Sequence, residues 1–472
     1  MEPRPPGYRD WLSLVPIAGG LWWLLALHSF GWLLWAVLPG TLLLASGVSM
    51  LFWQESGKQT QFMAAAALVG CILALPAAWS GSFFAALIAL ALSFASFMVA
   101  GRAGLRYAAP IPEAPPPPME PKVFAKAALD EALVGYFVGV SRGLGGEELD
   151  RTCGEAVKLE EMLRTRGWLD DPASFHKAPS APDNVRQTAA RVLSIEFQRL
   201  RYPSGFIPEP LLPGADRWAS HVRNRDCAAW MLRHDRPGRP WLLCIHGYRM
   251  GFPLVDLRLF EQKILHQKLG LNLLLPVLPL HGPRRLGWQS GDHYLDGDLL
   301  ELLHAQTQAL WDLRRSIAWI RSIDPTARIG VLGYSLGGYN AALLATHEPE
   351  LDFVVAGIAV ADFVPLLWSA MPASHRDYLA ARGFDAGRYR RLLHVVSPLA
   401  LPPRLPAERL HLFAGSADRV VPPDQPLRLA RHWGRGIEWY PGGHLTFRGE
   451  PGVQRTIEGA MLGAGWMLSA AG

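Results

Sequence analysis

Two long runs, 11–53 and 60–101, contain no Asp, Glu, Lys or Arg at all. One helix over the first run would be roughly 64 Å long, about twice the hydrocarbon thickness of a bilayer. Each run therefore has to fold back on itself. The first offers the breakers His28-Ser29-Phe30-Gly31 and Pro39-Gly40; the second offers Pro76 and Trp79-Ser80-Gly81-Ser82. Two helical hairpins are expected, with spans near 12–28, 32–53, 62–79 and 83–100. A bend at Pro39-Gly40 in place of Gly31 would leave three spans. An even number puts Arg4, Arg9, Lys58, Arg102 and Arg106 on one side, which the positive-inside tendency makes the cytoplasm. Trp11, Trp22, Trp23, Trp32, Trp35 and Trp53 suit either an interfacial belt or packing between helices. A secretory signal explains one apolar run but not two. His28, at an expected hairpin tip, is the one ionisable residue within a span. That argues against transport and for an anchor occupying 1–107.

Beyond the anchor the chain reads as a soluble protein, and 472 residues call for more than one unit. The net charge is +5, yet only seven of the 46 basic residues are Lys, and no basic run is interleaved with aromatics. A nucleic-acid partner is not expected. Cys71, Cys153, Cys227 and Cys244 lack the spacing of a disulfide framework or a zinc site, and reduced thiols facing the cytoplasm fit best. Residues 108–122 form a Pro-rich extended linker. Residues 123–215 read as a helical extension without chemistry of its own. Glu147–Arg166 is one charged helix. From Asp183 onward, Val185, Ala189, Val192, Leu193, Phe197 and Leu200 recur at helical spacing.

From Asp216 to the end, short apolar strands alternate with helices: "CAAWMLRH", "WLLCIHGY", "LNLLLPVLP", "RIGVLGYS", "DFVVAGIAV", "RLHLFAGS" and "IEWYPGG". Continuous apolar strands between helices imply an α/β domain with a mostly parallel sheet covered on both faces. In "RIGVLGYSLGGYNAALLA" the frame Gly333-Tyr334-Ser335-Leu336-Gly337 falls where a strand runs into a helix. A nucleophile there needs a sharp bend and small neighbours two residues to either side. A hydroxyl also needs a base, and the base needs an orienting acid. Asp418 follows the strand "RLHLFAGS", and His444 follows "IEWYPGG". The order is Ser, Asp, His.

On these motifs, 216–472 resembles the α/β-hydrolase superfamily at esterase, lipase or dipeptidyl-peptidase-like level, preceded by an all-α transmembrane domain. The resemblance implies Ser335 as nucleophile, His444 as general base and acid, and Asp418 as its orienter. The amides of Leu336 and Tyr248 would form the oxyanion hole. The loop His246-Gly247-Tyr248-Arg249 departs from the glycine run of lipases, which bears on the second amide.

Other residues admit two readings. Asp362, after the preceding strand, is an alternative acid. His246 is expected to be structural. The stretch 278–298 crowds His281, Arg284, Arg285, Asp292, His293, Asp296 and Asp298. Either Arg284 or Arg285 recognises an anionic substrate group, or the loop pairs its own charges; its spacing fits no standard zinc pattern. A cap is expected over 362–401, with Trp368 among the residues lining an acyl pocket. The expectation is a membrane-anchored serine hydrolase of esters, of lipid or acyl-thioester type, at a bacterial inner membrane with its catalytic domain cytoplasmic. It calls for no cofactor or metal. An acyltransferase with the same triad and a silent membrane scaffold are the rivals.

Overall fold

The computed structural model describes residues 10–26, 29–53 and 58–466. They form two compact units: Met1–Val140 with Ala414–Asp424 and Trp439–Val453, and Ser141–Phe413 with Gln425–Glu438 and Gln454–Gly472. These bounds cut across the expected domains, because two loops from the C-terminal third cluster with the N-terminal helices.

The first unit is built from α1 (Leu14–Leu25), α2 (Phe30–Phe52), α3 (Lys58–Ser80), α4 (Phe83–Tyr107) and α5 (Pro121–Val140). Its bends lie between α1 and α2 and at Gly81-Ser82. Ser29 and Ser82 cap the following helices by accepting from Trp32 N and Ala85 N. Pro39 and Pro76 lie inside α2 and α3 and do not break them. Helices α2, α3 and α4 are long and apolar enough to cross a membrane; α1, at 12 residues, is not. The four expected spans are thus three full-length helices and one short one. Arg4, Arg9 and His28 lie outside the described residues.

Packing in this bundle is close because its contacts are small. A Cβ on Gly20 would lie 2.5 Å from the Leu44 amide nitrogen, the backbone approach that drives helix association where lipid competes for apolar surface. Trp23 and Trp32 are buried, with ring centroids 5.3 Å apart. Their indoles donate to Ser93 Oγ and Trp23 O, and that of Trp22 donates to Ala85 O. These three pack between helices, whereas Trp11 and Trp53 are exposed. The outward residues include Leu25, Phe30, Leu75 and Phe84, an apolar exterior. Helix α5 lies against α3 and α4. A Cβ on Gly101 would fall 1.9 Å from Phe124 O, and one on Gly135 would fall 2.6 Å from Gln61 O.

In the second unit α6 (Gly146–Thr165) is the expected charged helix. The segment from Asp183, read above as helix, is instead a hairpin of β1 (Arg186–Val192) and β2 (Ile195–Pro203), turning at Leu193 with φ 51°. The sheet claims it: β2 pairs antiparallel with β3 (Asp226–Leu232), burying Leu200 and Tyr202. Tertiary pairing overrides a spacing that fits a helix only by side-chain type. The chain continues through α7 (Ala215–Ala219), β4 (Trp241–Ile245), α8 (Pro253–Leu259), β5 (Asn272–Pro276), α9 (Leu299–Ile323), β6 (Ile329–Tyr334) and α10 (Leu336–Ala345). Then come β7 (Phe353–Gly357), α11 (Phe363–Ala370), α12 (Ala373–Ala380), α13 (Ala386–Leu392), β8 (Leu410–Gly415), α14 (Asp424–Trp433), β9 (Glu438–Tyr440) and α15 (Pro451–Gly463).

The nine described strands form one sheet in the order β1-β2-β3-β5-β4-β6-β7-β8-β9. Pairing is parallel from β5 through β4, β6 and β7 to β8. The strand order reverses at β4 and β6, where the crevice at the carboxyl ends of an open α/β sheet binds ligands. Ile245 pairs with Gly333 there, so the loop after β4 and Ser335 leave the sheet side by side.

Candidate active site

Ser335 joins β6 to α10 with φ 59° and ψ −115°, a conformation that L-residues rarely hold. Such backbone strain costs roughly 1–3 kcal/mol and persists only where its surroundings enforce it. They do so here through contact. A Cβ on Gly337 would lie 1.9 Å from Ile245 O, and one on Gly333 would lie 2.1 Å from Gly337 O. The Ser335 amide donates to Gly357 O at 3.0 Å, pinning the bend to β7. The serine is half-buried, ahead of a ten-residue helix whose N-terminus favours developing negative charge.

The loop after β4 runs beside it. A Cβ on Gly247 would meet Ser335 Cβ at 3.6 Å. His246 is buried and shapes this loop. Its Nε2 accepts from Leu278 N at 3.0 Å, which leaves the proton on Nδ1, 2.8 Å from Gly247 O. Burial holds its pKa below the ordinary histidine value, as befits a structural imidazole. Tyr248 follows, with the Arg249 guanidinium over its ring at 4.9 Å.

Asp418 and His444 meet within the first unit. His444 Nδ1 donates to Asp418 Oδ2 at 2.7 Å, and both residues are buried. Asp418 Oδ1 accepts from Val420 N at 2.9 Å and Val421 N at 2.7 Å, so the carboxylate is fixed before it orients the ring. Burial lowers the imidazole's affinity for a proton. The charge and hydrogen bond of Asp418, with the charge of Asp130, outweigh that and hold His444 above the ordinary value. Nε2 is left as the basic nitrogen.

Asp130 on α5 is the residue that sequence reasoning missed. Its Oδ2 accepts from His444 N at 2.6 Å and Arg419 N at 3.1 Å, and its Oδ1 from Leu445 N at 3.2 Å. Burial, then the Asp418 charge, push its carboxyl up to about 7, against the pull of His444 and of the His444 and Arg419 amides. The only signal in the sequence was an adjacent acidic pair, Asp130-Glu131, inside the otherwise apolar "AALDEALVG".

The remaining candidates separate. Asp362 is occupied elsewhere: Oδ1 caps α11 through Val364 N, and Oδ2 accepts from Arg390 at 2.7 Å. Arg284 does not face a substrate. It is buried, donating to Val277 O, Asn224 O and Asp312 Oδ2, the last at 2.7 Å. A guanidinium with those fixed partners is a strut between β5 and α9. Arg285 is half-buried, donates to Gly282 O and lies over the Phe252 ring at 6.0 Å. The charges of 278–298 pair outside the stretch and not with one another: Asp292 with Arg249 from the loop after β4 at 2.7 Å and Asp298 with Arg151 at 2.9 Å, while Asp298 also caps α9. Helices α11, α12 and α13 fill the interval between β7 and β8, with Trp368 half-buried on α11. An open groove of about 540 Å³ lies along the β1–β2 hairpin, lined in part by Phe197, Met231 and His266, and shares no residue with the elbow.

No protein-family model matches the chain. It is 39% identical over 318 residues to the uncharacterized protein Rv2627c of Mycobacterium tuberculosis, covering 67% of this chain and 76% of that one. The counterpart from a second strain of that organism, MT2702, gives the same figures. Solved structures with a related backbone include acetyl xylan esterase 1 from Thermoanaerobacterium sp., at 18% identity and TM-score 0.41 over 69% of this chain and 96% of that one. Another is the Pyrococcus horikoshii acylaminoacyl peptidase, at 16% identity and TM-score 0.33 over 59% of this chain and 40% of that one. By its identity over three quarters of Rv2627c the chain belongs to the same family as that mycobacterial protein, and its mostly parallel sheet with a strand-to-helix elbow at Ser335 has the α/β-hydrolase fold.

Proposed function

We propose that this chain is a membrane-anchored serine hydrolase that cleaves carboxylic esters, acyl thioesters included, through an acyl-enzyme on Ser335. The observation that carries the reading is the strained elbow: a half-buried serine held at φ 59° by contacts that leave no room for a side chain at Gly337. Strain of this kind collects at reacting groups. In this reading Ser335 Oγ attacks the carbonyl carbon while its proton passes to His444 Nε2. The Leu336 and Tyr248 amides donate to the oxyanion. Collapse expels the alcohol, which takes the proton from His444, and water then repeats the sequence to release the acid. Asp418 keeps the imidazole in the working tautomer throughout.

In this reading α11 walls the acyl group. Val360 N lies 3.5 Å from Ser335 O, and Phe363 packs on Tyr339 with ring centroids 4.2 Å apart. The helix that carries Leu366, Leu367 and Trp368 therefore begins beside the elbow. Three helices long and apolar enough for a bilayer make lipid-derived esters the favoured substrates. Lys58, Arg102 and Arg106, at the ends of α3 and α4, favour a cytoplasmic catalytic side.

The test is fluorophosphonate labelling of the detergent-solubilised full chain, wild type beside Ser335→Ala, followed by hydrolysis of p-nitrophenyl esters of increasing chain length. Labelling confined to the wild type, with turnover, is the expected result. A well-folded wild type that neither labels nor turns over would return the silent scaffold. Ester products formed with added alcohols would make it an acyltransferase.

A further inference from the structure

We propose that Asp130 is a positioning residue for His444, supplied to the reaction by the helix that follows the apolar helices. The inference rests on the hydrolase reading above and deepens it. Asp130 lies far from Asp418 and His444 in sequence, yet its one carboxylate bridges the two loops that carry them. It accepts from Arg419 N, next to Asp418, and from His444 N and Leu445 N. Leu445 is exposed, whereas the other two donors belong to a buried residue, His444, and a half-buried one, Arg419. Without an acceptor those two would force the loops to move, since a buried unsatisfied donor costs about 1–3 kcal/mol.

The clamp is itself anchored. Glu131, the next residue, accepts from Arg419 Nε at 2.7 Å and from Thr60 Oγ1 at 3.0 Å. Thr60 opens α3, and a Cβ on Gly104 near the end of α4 would lie 2.5 Å from Glu131 Oε1. Lys126, one turn earlier, pairs with Glu450 at 2.5 Å and donates to Pro441 O. Helix α5 therefore ties the loops after β8 and β9 to the same ends of α3 and α4. The apolar helices are part of the support of the catalytic histidine and more than a tether.

Position and charge act together. The groups facing the His444 loop are Asp130, Glu131 and Lys126 from α5, Asp418 and Arg419 from the loop after β8, and Tyr440 and Glu450 around β9. Where Asp130 is ionised, its field favours the imidazolium that forms when Ser335 attacks.

The experiment uses the full chain in detergent: wild type, Asp130→Asn and Ser335→Ala, with p-nitrophenyl butyrate turnover and fluorophosphonate labelling followed against pH. Asn keeps the shape but turns one accepting oxygen into an amide NH2, a donor facing backbone N–H groups. The expected result for Asp130→Asn is a kcat about 10- to 100-fold lower with KM little changed. The acid limb of turnover and labelling should also move to lower pH, because the ionised form of Asp130 no longer favours the imidazolium. A folded Asp130→Asn with wild-type kcat, or with an unmoved acid limb, overturns the positioning role while Ser335→Ala stays dead. Should Asp130→Asn not fold, Gly443→Ala carries the same test. Its Cβ would lie 2.5 Å from Asp130 Oδ2 and push the loop off the carboxylate, so the same two changes are expected and their absence is equally decisive. Turnover or labelling that survives in Ser335→Ala overturns the hydrolase reading instead.

Discussion

His444 sits between two carboxylates with different tasks, and each can be removed alone. Asp418 holds the ring proton; Asp130 holds the backbone. Replacing Asp418 by Asn should leave the wrong tautomer in place and lower kcat by about 10⁴ without unfolding the chain. Circular dichroism beside an ester assay checks both halves. The pH dependence follows from the sign of the shift. His444 is held above the ordinary histidine value, so activity should fall as pH drops through that raised value, and Asp418→Asn should move the limb down. In stability the same shift works in reverse: its contribution is complete below about 6.5 and is lost as pH rises through the folded value. Arg284 supplies a contrasting case. Arg284→Ala should cost about 3–5 kcal/mol by leaving Asp312 buried and unpaired, with activity per folded molecule unchanged. A rise in KM instead would restore it as a substrate ligand. The elbow at Ser335 and the Asp418–His444 pair were legible because each residue follows a strand and their order constrains them. Asp130 was not, since nothing local distinguishes a carboxylate facing distant amides from one facing water.

Among elements, the elbow and the edge hairpin differ in how their sequences encode them. The elbow is written locally: Gly333 and Gly337 are needed because Gly337 O and Ile245 O occupy the space of their Cβ atoms. Gly337→Ala should therefore destabilise the chain by about 3 kcal/mol or more, or abolish labelling, since backbone cannot yield as a side chain would. An unchanged melting temperature with full labelling would contradict this. The hairpin is written only in its partner. Strand β1 is largely exposed, and β2 buries Phe197, Leu200 and Tyr202 against the rest of the sheet. Its apolar residues fit a helical spacing just as well, so a reading by period alone chose the wrong element. The bends of the apolar region fell where serine caps and glycine allow, and not at Pro39, whose helix continues through it.

For the whole molecule, the apolar helices, the sheet and the order of the motifs were readable, while the grouping of the units was not. The loops carrying Asp418 and His444 cluster with 1–140, and no pattern in either segment announces the other. Thr60 and Gly104 both reach Glu131, so α3 and α4 present Lys58 and Arg102 at the same end as the histidine loop. Single cysteines at Lys58 and Arg102 in a background with its own cysteines removed should react from one membrane face only. Labelling from opposite faces would refute the proposed orientation. The protein should also stay with membranes through alkaline carbonate and leave them in detergent.

The short first helix has a mechanical consequence. With its leading turn from Trp11 it rises roughly 24 Å, against about 30 Å of hydrocarbon. Its neighbours α2, α3 and α4 are full length. A bilayer around this bundle must pinch on one flank, at a cost of fractions of a kcal/mol for each ångström of mismatch. That cost is lower where lipid tails are short. In vesicles with coexisting thick and thin phases the protein should sort into the thin one.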